Sequence, residues 1–79
     1  MKARVIVTLK SGVLDPQGKA IEGALKGLAV NGLKSVRQGK IFDIELDGDD
    51  HTMARRRLGE ACERLLANTI VENYAIEIT

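Results

Sequence analysis

The chain has no tryptophan, and Phe42 and Tyr74 are its only aromatic residues. A core must therefore be built from Val, Ile, Leu and Ala, which supply most of the 44% hydrophobic content. One cysteine, Cys62, has no internal partner for a disulfide, which fits a reducing compartment. No apolar run approaches the roughly 20 residues of a membrane-spanning helix. The first ten residues alternate in polarity and lack the apolar block of a secretion signal. These absences point to a soluble, cytoplasmic protein. Charge of one sign is lacking too: 12 Lys and Arg stand against 11 Asp and Glu, well mixed. A nucleic-acid-binding domain usually carries a basic stripe, and none is present.

What is present fits one domain, residues 1–79. A chain this short buries only roughly 60% of its unfolded surface, so burial continued across an interface would help it. An oligomer or a complex is the expected state.

Polarity alternates over residues 2–10, with Ala3, Val5, Val7 and Leu9 on one face, which predicts a half-buried strand. Asp15-Pro16 then starts a helix, because Asp caps orphan N–H groups and Pro suits the first helical position. Ile21, Ala24, Leu25 and Leu28 form its expected apolar stripe. Gly23 and Gly27 disfavour a helix by roughly 1 kcal/mol each, so close approach of another backbone is expected beside them. Asn31-Gly32 reads as its stop.

Two strands are expected next, a short one over Leu33–Gln38 and a plain one through Phe42, Ile44 and Leu46, joined by a tight turn at Gln38-Gly39-Lys40. Asp49 or Asp50 can cap a helix from His51 to Leu66, with Ala54, Leu58, Ala61, Cys62 and Leu65 inward. Arg56, Glu60 and Arg64, four apart, should form a ladder on its opposite face. A last strand is expected to start at Ile70. The predicted fold is α+β, ferredoxin-like βαββαβ: a four-stranded antiparallel sheet with two helices on one face.

Catalysis finds little footing. His51 and Cys62 have no second ligand cluster, and Cys62 lies on an apolar stripe, as a buried structural thiol does. No Ser/His/Asp or Cys/His set can be assembled. RNA-recognition domains share this element order but stack bases on sheet aromatics. Here the outward sheet positions are Arg4, Ile6, Thr8, Ile41, Asp43, Glu45, Asn73, Ala75 and Glu77, with no aromatic and three carboxylates. The run Arg55-Arg56-Arg57 spreads around a helix and cannot all face one ligand. The outer sheet face mixes apolar side chains with charges of both signs, which suits association of subunits. Two segments carry more special residues than local structure requires: Lys10–Gly18, with Leu14, Asp15 and Gln17, and Val36–Lys40, with Arg37 and Lys40.

Those segments also carry a resemblance. Val7–Lys10 with Val13–Ala20, the turn Val36-Arg37-Gln38-Gly39-Lys40, and Ala61–Asn68 with Ile70–Tyr74 resemble, in order and spacing, three signatures of the PurS-type small subunit of phosphoribosylformylglycinamidine (FGAM) synthase. The Ala29–Ser35 link and the Asp47–Thr52 loop depart from the family pattern. The resemblance implies a non-catalytic subunit of an ATP- and glutamine-dependent C–N ligase complex in purine biosynthesis. It implies self-association as a homodimer or homotetramer, and bridging of a glutaminase subunit and a large synthetase subunit so that ammonia passes between them. It also implies that this chain binds no cofactor while the complex uses ATP, Mg2+ and glutamine. Lys10, Leu14, Asp15, Gln17, Arg37 and Lys40 are the expected partner-interface residues. The alternative from the fold alone is a dimeric, small-ligand-sensing regulatory domain.

Overall fold

The structure, a computed structural model, describes residues 1–79. Its elements are β1 (Lys2–Leu9), α1 (Pro16–Gly27), β2 (Gly39–Glu45), α2 (His51–Ala61) and β3 (Glu72–Ile78), with a π-helical turn, Cys62–Leu66, prolonging α2. The sheet is antiparallel, in the order β2-β1-β3. The alternation in β1 does what its pattern demands: Ala3, Val5 and Val7 are buried, while Lys2, Arg4 and Thr8 are exposed. Val5 pairs with Phe42 on one side and Ile76 on the other, so one face of three strands is apolar. On that face Val5, Val7, Cys62 and Ala67 form the core, flanked by Phe42, Ile44, Leu66, Tyr74 and Ile76. Ala54 and Leu58 bring α2 onto it. No helix is long and apolar enough to cross a membrane.

The α+β class and both helices match expectation, but the sheet has three strands where four were expected. Residues 33–38 make no backbone–backbone hydrogen bond. No tight turn interrupts the chain at Gln38–Lys40, because β2 begins at Gly39 and continues directly from that segment. A strand needs a ladder, and here side-chain carboxylates take the place of one. The Val36 N–H donates to Glu22 Oε1 at 3.1 Å, and the Gln38 N–H donates to Asp15 Oδ2 at 2.8 Å.

The second correction concerns α1. It does not share the sheet face with α2. Its two buried residues, Gly18 and Glu22, face the segment at 36–38, while Ile21 and Leu28 of the expected apolar stripe are exposed. Helix and returning chain form an arm beyond the sheet. The molecule is accordingly elongated, 47 × 25 × 15 Å, with a radius of gyration of 15.8 Å. A compact chain of this length would give about 12 Å. Gly23 and Gly27 have open space around them, so no backbone approaches there. Gly18 is the glycine that close approach requires, since a Cβ would stand 2.7 Å from the Val36 carbonyl oxygen.

Smaller differences follow from local chemistry. Helix α1 gives way at Leu28, and Ala29 takes a left-handed φ of 59° before Gly32 at 81°. Asp50 caps α2 by accepting from the Met53 N–H at 3.0 Å. The Arg56–Glu60–Arg64 ladder makes no ion pair. Ile70 lies exposed in a turn ahead of β3, where the Asn68 side chain accepts from its N–H.

Candidate functional site

The site is built where the arm meets the sheet. Asp15 caps α1, its carboxylate accepting from the Gly18 N–H at 2.9 Å and from the Gln38 N–H at 2.8 Å. One side chain thus starts a helix and fixes the returning chain 23 residues later. These two amide donors, and Arg37 nearby, hold the Asp15 carboxyl below its ordinary range despite burial. Glu22 repeats the device two turns on. It accepts from the Val36 N–H and lies 3.7 Å from Lys19 and 3.5 Å from Lys26. The amide bond lowers its pKa most, and the two ammonium groups add to that.

Arg37 closes the junction from the other side, donating from Nη2 to the Lys10 carbonyl at 2.9 Å. Lys40 stands 3.9 Å from Glu72 Oε2 and 5.8 Å from the Phe42 ring centre. Between these groups lies a polar cleft of about 220 Å³, bordered by Asp15, Gln17, Gln38, Gly39, Lys40 and Glu72. Gly39 is needed at its floor, because a Cβ there would meet the Val7 carbonyl oxygen at 2.6 Å.

Of the six residues singled out from sequence, Asp15, Gln17 and Lys40 share this cleft, and Lys10 and Arg37 are bonded to each other beside it. Leu14 is not among its lining residues and stands 74% exposed. Asp15 is 5% exposed and fully engaged, so it shapes the site from within. Sequence reasoning missed Glu22, Gln38 and Glu72. A signal for Glu22 existed: Asp15, Gly18 and Glu22 recur at helical spacing, on one face.

No group of three or more His, Cys, Asp or Glu side chains converges as a metal site would. Burial pushes the Cys62 thiol up, away from the thiolate a nucleophile needs. The nearby Glu63 carboxylate likewise pushes the Tyr74 phenol up. On the outer sheet face Arg4 Nε donates to Asp43 Oδ1 at 2.9 Å, with Glu77 opposite on β3. The next row toward the arm is Ile41, Ile6 and Ala75. A second cavity, about 310 Å³, opens between the β2–α2 loop and α2, with Leu46, Met53 and Leu58 in its wall.

Comparison with known proteins is consistent throughout. The family described as PurS, phosphoribosylformylglycinamidine (FGAM) synthase, matches residues 2–79. A Synechocystis protein named phosphoribosylformylglycinamidine synthase subunit PurS is 43% identical over 76 residues, 96% of this chain and 76% of that one. The crystal structure of Methanocaldococcus jannaschii PurS, described as one of the subunits of formylglycinamide ribonucleotide amidotransferase in the purine biosynthetic pathway, superposes with a TM-score of 0.84. It is 38% identical, covering 96% of this chain and 92% of that one. A chain in the structure of PurLQS from Thermotoga maritima superposes with a TM-score of 0.87 at 33% identity, covering 96% and 93%.

Proposed function

The chain belongs to the PurS family, and from that premise we propose that it is the non-catalytic subunit of FGAM synthase in purine biosynthesis. The observation that carries this reading is the family match over residues 2–79, joined to the likeness to a chain of the PurLQS assembly. In this role it bridges a glutaminase subunit and an ATP-dependent synthetase subunit in the cytoplasm and supports passage of ammonia between them. It holds no cofactor itself; ATP, Mg2+ and glutamine belong to its partners. A shaped polar junction suits this work.

The junction supplies the contact surface. Gln17 and Lys40 offer hydrogen-bonding groups from the cleft, Leu14 offers an exposed apolar side chain, and Asp15 with the Arg37–Lys10 bond fixes their frame. Self-association adds burial that 79 residues alone do not provide. Size-exclusion chromatography of the chain mixed with the glutaminase and synthetase subunits tests the reading. Co-elution of all three is expected, and separate elution in the presence of ATP, Mg2+ and glutamine would overturn it.

A further inference from the structure

The arm junction offers one contact surface, and a bridging subunit needs a second. The junction cleft lies where β1 ends and β2 begins, against Leu9 and Gly39. The cavity of about 310 Å³ lies where β1 begins and β2 ends, against Met1 and Leu46. The length of β1 separates the two, about 25 Å.

The wall of this cavity is apolar and soft. Leu46, Met53, Ala54 and Leu58 line it together with Met1, so both methionines of the chain border one hollow. Met53 stands 41% exposed on the first turn of α2. The thioether side chain adapts its shape, and surfaces built from it accept apolar groups of varied outline.

The rim is acidic. Asp47, Asp49 and Asp50 border the opening, against a single cation, Arg57. Asp50 is engaged as the cap of α2, while Asp47 and Asp49 are exposed and form no ion pair. A cation brought to this rim is attracted, and an acidic ligand is repelled. The hollow lacks the converging polar groups that orient a metabolite. It has instead the build of an interface hot spot, a pocket for one apolar anchor inside a polar ring.

We infer that this cavity seats an aliphatic side chain from a segment of one larger subunit, the one not held at the arm junction. Lys or Arg beside that anchor then faces Asp47 and Asp49. The inference rests on the bridging role proposed above and places its second contact at the far end of the sheet.

Thiol labelling of the assembled complex tests it. Cys62 is the only native thiol and is buried, so Met53→Cys supplies the one reactive site. A maleimide should label it readily in the free chain. In the complex with the glutaminase and synthetase subunits, formed with ATP, Mg2+ and glutamine, labelling should slow about tenfold or more, because a seated anchor excludes solvent. A benzophenone carried on Thr52→Cys, beside Met53, should cross-link to one larger subunit, at a peptide with an aliphatic residue flanked by Lys or Arg. The same probe on Gln17→Cys, in the junction cleft, should join the other larger subunit. The double variant Asp47→Asn/Asp49→Asn should weaken assembly about fivefold at low salt and little at high salt.

An intact complex in which the Met53→Cys thiol keeps its free-chain rate would overturn the inference and leave the subunit reading standing. So would cross-links from Thr52→Cys confined to a second copy of the chain or to an acidic segment, cross-links from both probes to the same larger subunit, or neutralisation of the two carboxylates without effect. If no three-subunit complex forms, the reading and this inference fall together.

Discussion

Asp15 and Gln38 are 23 residues apart in sequence and 2.8 Å apart in space, carboxylate oxygen to amide nitrogen. The same carboxylate accepts from Gly18, so helix initiation and arm closure depend on one ionised group. Glu22 and Val36 repeat the relationship farther along the arm. The position of the junction therefore depends on two carboxylates and little apolar burial.

Acid should open the arm before it unfolds the sheet. Both carboxyls have folded-state pKa values below their ordinary 3.8 and 4.5. Their contribution is thus complete above those ordinary values and is lost as pH falls through the lowered ones. Amide hydrogen exchange, with rates corrected for intrinsic pH dependence, should show Val36 and Gln38 losing protection below about pH 4. Val5 and Val7 should keep theirs to lower pH. Asp15→Asn should show unprotected Gln38 already at pH 7.

The glycines of α1 should respond with opposite signs. Gly18→Ala forces a Cβ against the Asp15 carboxylate and the Val36 carbonyl, and should cost roughly 1–3 kcal/mol. Gly23→Ala meets nothing within 4 Å and should stabilise by about 1 kcal/mol. Urea denaturation of the two variants checks both, and equal effects would discredit the described arm.

Under the sheet, Leu58→Ala should destabilise by about 2–5 kcal/mol, because the side chain is buried against a small core that cannot refill the space. Cys62 in native protein should react with a thiol reagent at pH 8 far more slowly than in urea, as its burial and raised pKa require.

Much of this was legible in residue order, and the errors share one cause. The β1 alternation, both helix caps and the inward set of α2 were readable because each depends on neighbours in sequence. The apolar repeat of Ile21, Ala24, Leu25 and Leu28 suggested a helix lying on the sheet, yet Ile21 and Leu28 are exposed. Periodicity shows that a face is apolar and says nothing of which molecule covers it. Leu33–Gln38 has strand composition, but two of its N–H groups bond to side chains of α1, which no strand pattern encodes. Lys10, Gln17, Arg37 and Lys40 stood out because local structure left them unexplained. Glu22 escaped notice as one charge among many on an exposed-looking helix.

In the cleft, Gln17→Ala and Lys40→Ala should leave the fold intact, since both side chains are exposed. Each should weaken association with the glutaminase or synthetase subunit by roughly 1 kcal/mol, read by titration calorimetry. Unchanged affinity in both would remove the cleft from the interface.

The role as a coupling subunit is tested most directly by assaying the glutaminase and synthetase subunits with and without this chain, on glutamine and on ammonium salts. The account predicts that omitting the chain abolishes glutamine-dependent product while ammonia-dependent product persists, because free ammonia bypasses the bridge. Glutamine-dependent turnover undiminished without the chain would contradict it.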